Sequence, residues 1–439
     1  MLLGTQSINS QGHLEIGGCD TVDLAHRFGT PLYVMDEAAV RSRCAEYRQA
    51  FQACQPEALP TFAGKAFLCM AMARIVAEEG LGLDVASGGE LLTALQAKFP
   101  PERILLHGNN KSVAEMEMAV AAGVGRVVVD SEPELDTLDV VAARQGRRQA
   151  IFLRITPGIK PQTHTYIQTG QIDSKFGLAI TTGQAMRAVR HALAKPNLSL
   201  VGLHCHIGSS IYSIKPFEMA VQVMVELMAQ VRQETGHTFA DLDLGGGIGV
   251  RYQAEDEPPA IAEYAQRVNQ VLCEETRRHG LPVPRLLVEP GRDISGEAGT
   301  TLYTVGVIKE IPGVRTYVSV DGGMSDNPRP ALYQARYEAI VANRARDKRE
   351  MDVTVAGKHC ECDTLITDLA VPCTLAVGDI LAVQTTGAYN FAMASNYNRF
   401  ARPAVVLVGG GQAEVIVERQ SLEDVIAHDR IPERLRPEG

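Results

Sequence analysis

The stretch PTFAGKAFLCMAMARIVAEEGLGLDVASGGELLTALQAKFPPERILLHG, residues 60–108, decides the fold. Three short apolar runs, PTFAGK (60–65), LGLDVA (81–86) and RILLHG (103–108), have the length and composition of buried strands. Between them, AMARIVAEEG and SGGELLTALQAKF repeat their apolar residues at helical spacing. Helices of that length between strands predict crossover connections, and therefore parallel strands. The pattern continues outward through GRVVVD (125–130), AIFLRI (150–155), LVGLHC (200–205), DLDLG (241–245) and RLLVEP (285–290). Eight strands with seven intervening helices predict a (β/α)8 barrel. A helical stretch before the first strand, DEAAVRSRCAEYRQAFQAC (36–54), is placed to complete the outer ring. A doubly wound open sheet has the same order of elements and is the alternative.

After residue 296 the pattern changes. TLYTVGVIKE, RTYVSVDGG, YEAIVAN, MDVTVAG, DILAVQTTGAY, RPAVVLVGGG and AEVIVERQ read as successive strands, which predicts an all-β sandwich or barrel domain. The expected division is an N-terminal segment (1–30) that packs with the β domain through HLEI (13–16), a barrel (31–296) and a C-terminal β domain (297–439).

The chain has 439 residues, 45% of them hydrophobic and 21% charged, with a formal net charge of −10. That balance argues against a nucleic-acid surface and for a small-molecule partner. The opening MLLGTQSINSQGHLEIGG has neither a basic start nor a sustained apolar core, and no apolar run spans a membrane, so neither a secretory signal nor a membrane anchor is expected. Nine cysteines, odd in number and without a C-x-x-C, point to the cytoplasm rather than to a disulfide framework. GKHCECDT (357–364) gathers His359, Cys360 and Cys362, which is short of the four ligands of a structural zinc, and no metal is expected.

Catalytic groups of such barrels sit at the carboxyl ends of the strands. There the sequence places Lys65, Asp84, His107, Asp130, Arg154, His206, the glycines 245–247, and Glu289 with Arg292. A desolvated lysine is the side chain that bonds covalently to a carbonyl cofactor. The glycine run LGGGIG (244–249) after a strand suits phosphate, EPGR (289–292) adds an acid for a pyridine nitrogen and an arginine for phosphate, and HCHIGSS offers an imidazole and hydroxyls. Each group alone reads as an ordinary strand-end residue. Together they meet the requirements of pyridoxal 5'-phosphate.

These motifs, with GTPLYVMD (29–36), GLDVASGGEL (82–91), THTYIQTG and DSKFG (163–177), VDGGMSDNPRPALY (320–333) and GAYNFAMASNYN (387–398), make the chain resemble the pyridoxal-phosphate-dependent ornithine, diaminopimelate and arginine decarboxylases, and most closely the diaminopimelate branch. The resemblance covers nearly the whole chain. It implies Lys65 as the cofactor-bearing lysine, His206 stacked on the cofactor ring and Glu289 at its nitrogen. Ser209, Gly245, Gly246, Gly247, Gly291, Arg292 and Tyr389 would hold the phosphate, and Arg292, Arg329, Tyr333, Glu361 and Tyr389 the substrate. Cys360 would be the proton donor, reaching the site of the other subunit of a homodimer. The implied reaction is decarboxylation of meso-2,6-diaminopimelate to L-lysine and CO2, with Arg329 and Glu361 suited to the distal amino-carboxylate. Another carboxylated diamine, such as a carboxynorspermidine-like compound, or a non-catalytic cofactor-binding role are the alternatives. Three departures stand out: Phe62 and Phe67 where Tyr and Asn are common, Ser210 where Gln is common, and CECD one residue shorter than the usual C-E-S-G-D.

Overall fold

A computed structural model describes residues 1–159 and 174–436, so THTYIQTG and Asp173 lie outside the described residues. The chain divides into two compact units, residues 39–297 and residues 1–38 with 298–439.

In the first unit eight strands, β1 (Leu59–Ala63), β2 (Gly82–Val85), β3 (Ile104–Leu106), β4 (Arg126–Val129), β5 (Gln149–Thr156), β6 (Leu198–Cys205), β7 (Asp241–Asp243) and β8 (Arg285–Val288), follow one another in space as in sequence. All pairings are parallel, and β8 returns to β1 through Leu287 opposite Leu59. The sheet is therefore a closed barrel and not the open alternative. Leu105, Val128, Phe152 and Leu287 fill its interior. Gly202 on β6 makes room for them, since a Cβ there would stand 2.7 Å from the Phe152 ring and 2.7 Å from the Asp241 carbonyl oxygen. Gly202→Ala is expected to cost about 1 to 3 kcal/mol through overpacking. A thermal midpoint equal to wild type would contradict that account.

The first residues of β4, β7 and β8 close the amino end of the barrel. Asp241, 2% exposed, accepts from Arg285 Nε and Nη2 at 2.8 Å each and from Arg126 Nε at 2.9 Å. Two guanidinium groups satisfy both carboxylate oxygens, which offsets the desolvation of the buried charge. The helix Glu37–Cys54 completes the outer ring as its position in sequence suggests. It buries Val40, Cys44, Tyr47 and Phe51, and Phe51 meets Tyr264 of the helix Ile261–Arg278 edge-on at 5.6 Å. Beyond its last turn, Gln55 accepts from Leu286 N at 2.6 Å, which ties it to β8.

The second unit is built on a sheet in the order Thr364–Val371, Met351–Ala356, Arg315–Val320, Gly299–Ile311, Leu32–Asp36, Ala404–Gly409, Gln412–Val417. Ile380–Val383 pairs with Gly299–Ile311 and with Ala339–Val341. Leu32–Asp36 falls in this unit, although the sequence reading starts the barrel at residue 31. All five of its residues are buried, as suits a strand with neighbours on both edges, antiparallel Gly299–Ile311 and parallel Ala404–Gly409. HLEI does not join the large sheet: Leu14–Ile16 pairs with Ser7–Ile8 and Cys19–Asp20, while Leu14 and Ile16 pack into the core with Leu302, Ile380 and Val406. No described helix is long and apolar enough to cross a membrane.

Candidate active site

At the carboxyl ends of the barrel strands the structure gathers most of the polar residues expected there. Lys65 sits in the single turn Gly64–Ala66 that follows β1, its side chain 43% exposed and its Nζ 3.8 Å from Asp84 Oδ2 on β2. The turn can approach β2 because Gly64 lacks a Cβ, which would stand 2.7 Å from the Asp84 carbonyl. Glu289, just past β8, is 3% exposed. Its Oε2 receives a hydrogen bond from His204 Nε2 at 3.3 Å, and Oε1 lies 2.7 Å from His107 Nε2 without hydrogen-bond alignment. Burial alone would raise the Glu289 carboxyl, but the two imidazoles outweigh it and hold the group well below the usual carboxylate range.

Burial, then the cations Lys65 and Arg154, keep His206 well below the ordinary imidazole value, so its ring is neutral at pH 7. Asp243 is driven the other way: burial and then the neighbouring Glu289 charge raise it well above the usual range. Its Oδ1 accepts from Gly245 N at 2.8 Å, which shapes the start of the glycine run.

The three glycines are required by close approach. Gly245 has φ +66°, and its Cβ would meet the Cys205 carbonyl oxygen at 2.6 Å; a Cβ on Gly246 would meet the Glu289 carbonyl oxygen at 2.0 Å; one on Gly247 would meet the Gly208 carbonyl oxygen at 2.3 Å. The loops after β6 and β7 are further joined by Ile211 N to Gly247 O at 2.9 Å. Alongside, the buried Arg292 donates to Ser209 Oγ from Nη2 at 3.1 Å and to the Tyr252 hydroxyl from Nη1 at 2.7 Å. Gly291 packs against Ala63 and Ala66, with room for no Cβ.

The remaining expected residues belong to the β unit. Arg329 is 5% exposed, not a surface charge between prolines: its Nη1 lies 3.3 Å from the Tyr337 hydroxyl, and its guanidinium stands over the half-buried Tyr333 ring at 5.8 Å. Tyr389 adopts φ +63°, a left-handed backbone that a bulky residue holds only where its surroundings fix it. Cys360 and Glu361 are exposed. The Cys360 amide donates to Asn398 Oδ1 at 3.0 Å, and Glu361 Oε1 receives the Tyr397 hydroxyl at 2.6 Å.

The shortened CECD turn is closed from within. His359 Nδ1 and Asp363 Oδ2 are 2.5 Å apart, and Asp363 Oδ1 accepts from Met324 N at 2.9 Å. Gly323 and Gly357 leave the space, since a Cβ on either would stand about 2 Å from Asp363 Oδ2 (2.1 and 2.0 Å). Asp363 is thus fixed at both carboxylate oxygens within the short turn.

Sequence reasoning missed Tyr252, which no spacing relates to Arg292. It also left His204 unassigned. The signal was present in HCH, because residues two apart on a strand share a face.

A pyridoxal cofactor fits what is there. Glu289 Oε1 is a buried carboxylate oxygen without a hydrogen bond, as a protonated ring nitrogen requires, and Ser209 with Arg292 is a donor set for a phosphate. A closed parallel barrel with a lysine, a neutral imidazole, a glycine cradle and a buried acid at one end defines the class of barrel enzymes that bind pyridoxal phosphate. The family model described as "Pyridoxal-dependent decarboxylase, pyridoxal binding domain" matches residues 37–296. The diaminopimelate decarboxylase of Bacillus subtilis (strain 168) is 47% identical, with 98% of each chain covered, and that of Halalkalibacterium halodurans is 49% identical, with 97% of each covered. Among solved structures, the diaminopimelate decarboxylase from M. jannaschii in complex with L-lysine superposes with a TM-score of 0.93 at 35% identity, covering 99% of this chain and 100% of that one. The chain belongs to the pyridoxal-dependent decarboxylases, in their diaminopimelate decarboxylase family.

Proposed function

We propose that the protein decarboxylates meso-2,6-diaminopimelate to L-lysine and CO2, with pyridoxal 5'-phosphate as cofactor. The observation that carries this reading is the end-to-end likeness to diaminopimelate decarboxylases, one of them solved with L-lysine, the product expected here. When bound, the cofactor supplies an electron sink for the pair left behind as the carboxylate departs.

The chain's own residues do the rest. Lys65 would hold the cofactor covalently through its amine. Glu289, held ionised, would keep a cofactor's ring nitrogen protonated, and the neutral His206 imidazole would pack against its ring. Ser209, Arg292, the amides of Gly245, Gly246 and Gly247, Gly291 and Tyr389 bind the phosphate; Arg292 and Tyr389 also contact substrate. Cys360 returns a proton to the α-carbon as general acid. Arg329, Tyr333 and Glu361 take the distal end of the substrate, the guanidinium for its carboxylate and Glu361 for its ammonium. We further propose that the enzyme works in the cytoplasm as a homodimer in which Cys360 serves the cofactor of a partner subunit. The odd number of cysteines and the lack of a C-x-x-C pair support a reducing compartment.

The test is CO2 release by the purified, cofactor-loaded protein from meso-diaminopimelate, with L-lysine and carboxynorspermidine assayed in parallel. Comparable turnover of L-lysine would overturn the substrate assignment. Arg329→Ala should lower kcat/KM for diaminopimelate by about thirtyfold or more, because truncating one partner of a buried charge pair costs about 2 to 5 kcal/mol. A change of less than threefold would remove Arg329 from the substrate site.

A further inference from the structure

We infer that His204 is a positioning residue: its Nε2–H holds one carboxylate oxygen of Glu289 in place, so that the other faces the nitrogen of the cofactor ring. The inference rests on the cofactor reading above and adds a residue that the family resemblance does not assign.

Geometry carries it. His204 lies on β6 with its side chain 1% exposed, and Glu289 Oε2, to which it bonds at 3.3 Å, belongs to a carboxylate that is itself buried. A carboxylate only accepts, so this contact fixes the proton on Nε2 and leaves Nδ1 as a bare acceptor. Among the described residues Nδ1 has no hydrogen-bond partner. An imidazole that merely filled space would be better replaced by an apolar side chain, because burying an unmatched polar atom is costly. Its one bond to Glu289 is therefore what the position gains.

The second imidazole completes the setting. His107 meets His204 edge to face, ring centroids 4.9 Å apart, and brings its Nε2 to 2.7 Å of Glu289 Oε1 and 3.7 Å of Asp84 Oδ1. The carboxylate is thus flanked on both sides by rings. It cannot rotate away from the strand ends without losing one of them. Burial also holds His204 down, to about 4, so it donates as a neutral ring and does not cancel the Glu289 charge.

The experiment compares wild type, His204→Leu, His204→Gln and Glu289→Ala as holoenzymes reconstituted with pyridoxal phosphate labelled with 15N in the ring. Two quantities are read: the ring 15N shift, which reports protonation of that nitrogen, and kcat with KM. His107, His204 and Glu289 offer atoms within 4.8 Å of one another, close enough to chelate a divalent cation, so all samples contain a chelator. His204→Leu should move the 15N signal toward unprotonated nitrogen and lower kcat about 10- to 100-fold, with KM within about threefold. His204→Gln, whose amide N–H can stand where Nε2–H stood, should recover both. If His204→Leu keeps the wild-type shift, or if Gln fails to restore what Leu loses, the inference is overturned and His204 only packs. A wild-type shift in Glu289→Ala would instead refute the placing of Glu289 at the ring nitrogen, which separates the two failures. Should His204→Leu not fold, His204→Asn, too short to reach Glu289, takes its place with the same expectations.

Discussion

Lys65→Ala should fold as wild type does and lose decarboxylation by roughly 10³-fold or more, since both the covalent hold on the cofactor and the proton transfers of an amine are removed together. Lys65 follows β1 with its side chain 43% exposed, and its Nζ stands 3.8 Å from Asp84 Oδ2, too distant for a tight structural bridge. A side chain that exposed is not part of the packed barrel core. The complementary measurement is borohydride treatment of the wild-type holoenzyme. It should bleach the cofactor's visible band and leave the reduced adduct on the peptide that contains Lys65. An adduct on another lysine, or Lys65→Ala activity within tenfold of wild type, would overturn the assignment.

Mixing inactive mutants should restore activity. If Cys360 serves the partner's cofactor, Lys65→Ala and Cys360→Ala homodimers are each nearly dead. Random reassortment of equal amounts makes about half the dimers mixed, and each mixed dimer carries both lesions in one site and none in the other, so about a quarter of all sites recover in a two-fold dimer. The measurement is activity after joint dissociation and reassembly, with subunit exchange verified by two different tags. Exchange without recovery would confine Cys360 to its own chain or exclude it from catalysis. The exposure of Cys360, its amide tied to Asn398, is consistent with a thiol presented outward by a fixed turn.

The barrel was legible because its strands are apolar, short and separated by helices of regular period, so type and order followed from residues 60–108 and their continuation. Closure was not, because the Leu287–Leu59 pairing is a long-range contact that local pattern does not encode. Leu32–Asp36 was misplaced for the same reason: LYVMD is a buried strand on any reading, and only its partners, far along the chain, tell which sheet owns it. In the site, charge and strand-end position were enough to select Lys65, His206, Glu289 and Arg292. They were not enough for Arg329, Glu361 or Cys360, whose roles came from family resemblance alone. The Glu289–His204 and Arg292–Tyr252 contacts join segments distant in sequence and carry no short-range signature.

The place of Leu32–Asp36 has a consequence for how the protein is made. Its flanking strands, Gly299–Ile311 and Ala404–Gly409, leave the ribosome only after the whole of residues 39–297. The barrel can begin folding as soon as its own strands emerge, whereas this segment waits with both edges unpaired until Gly299–Ile311 is made, and with one edge unpaired until Ala404–Gly409 follows near the end of translation. During that interval the nascent chain is most exposed to wrong pairing, and a chaperone that shields the first forty residues would protect the step on which assembly of the β unit depends.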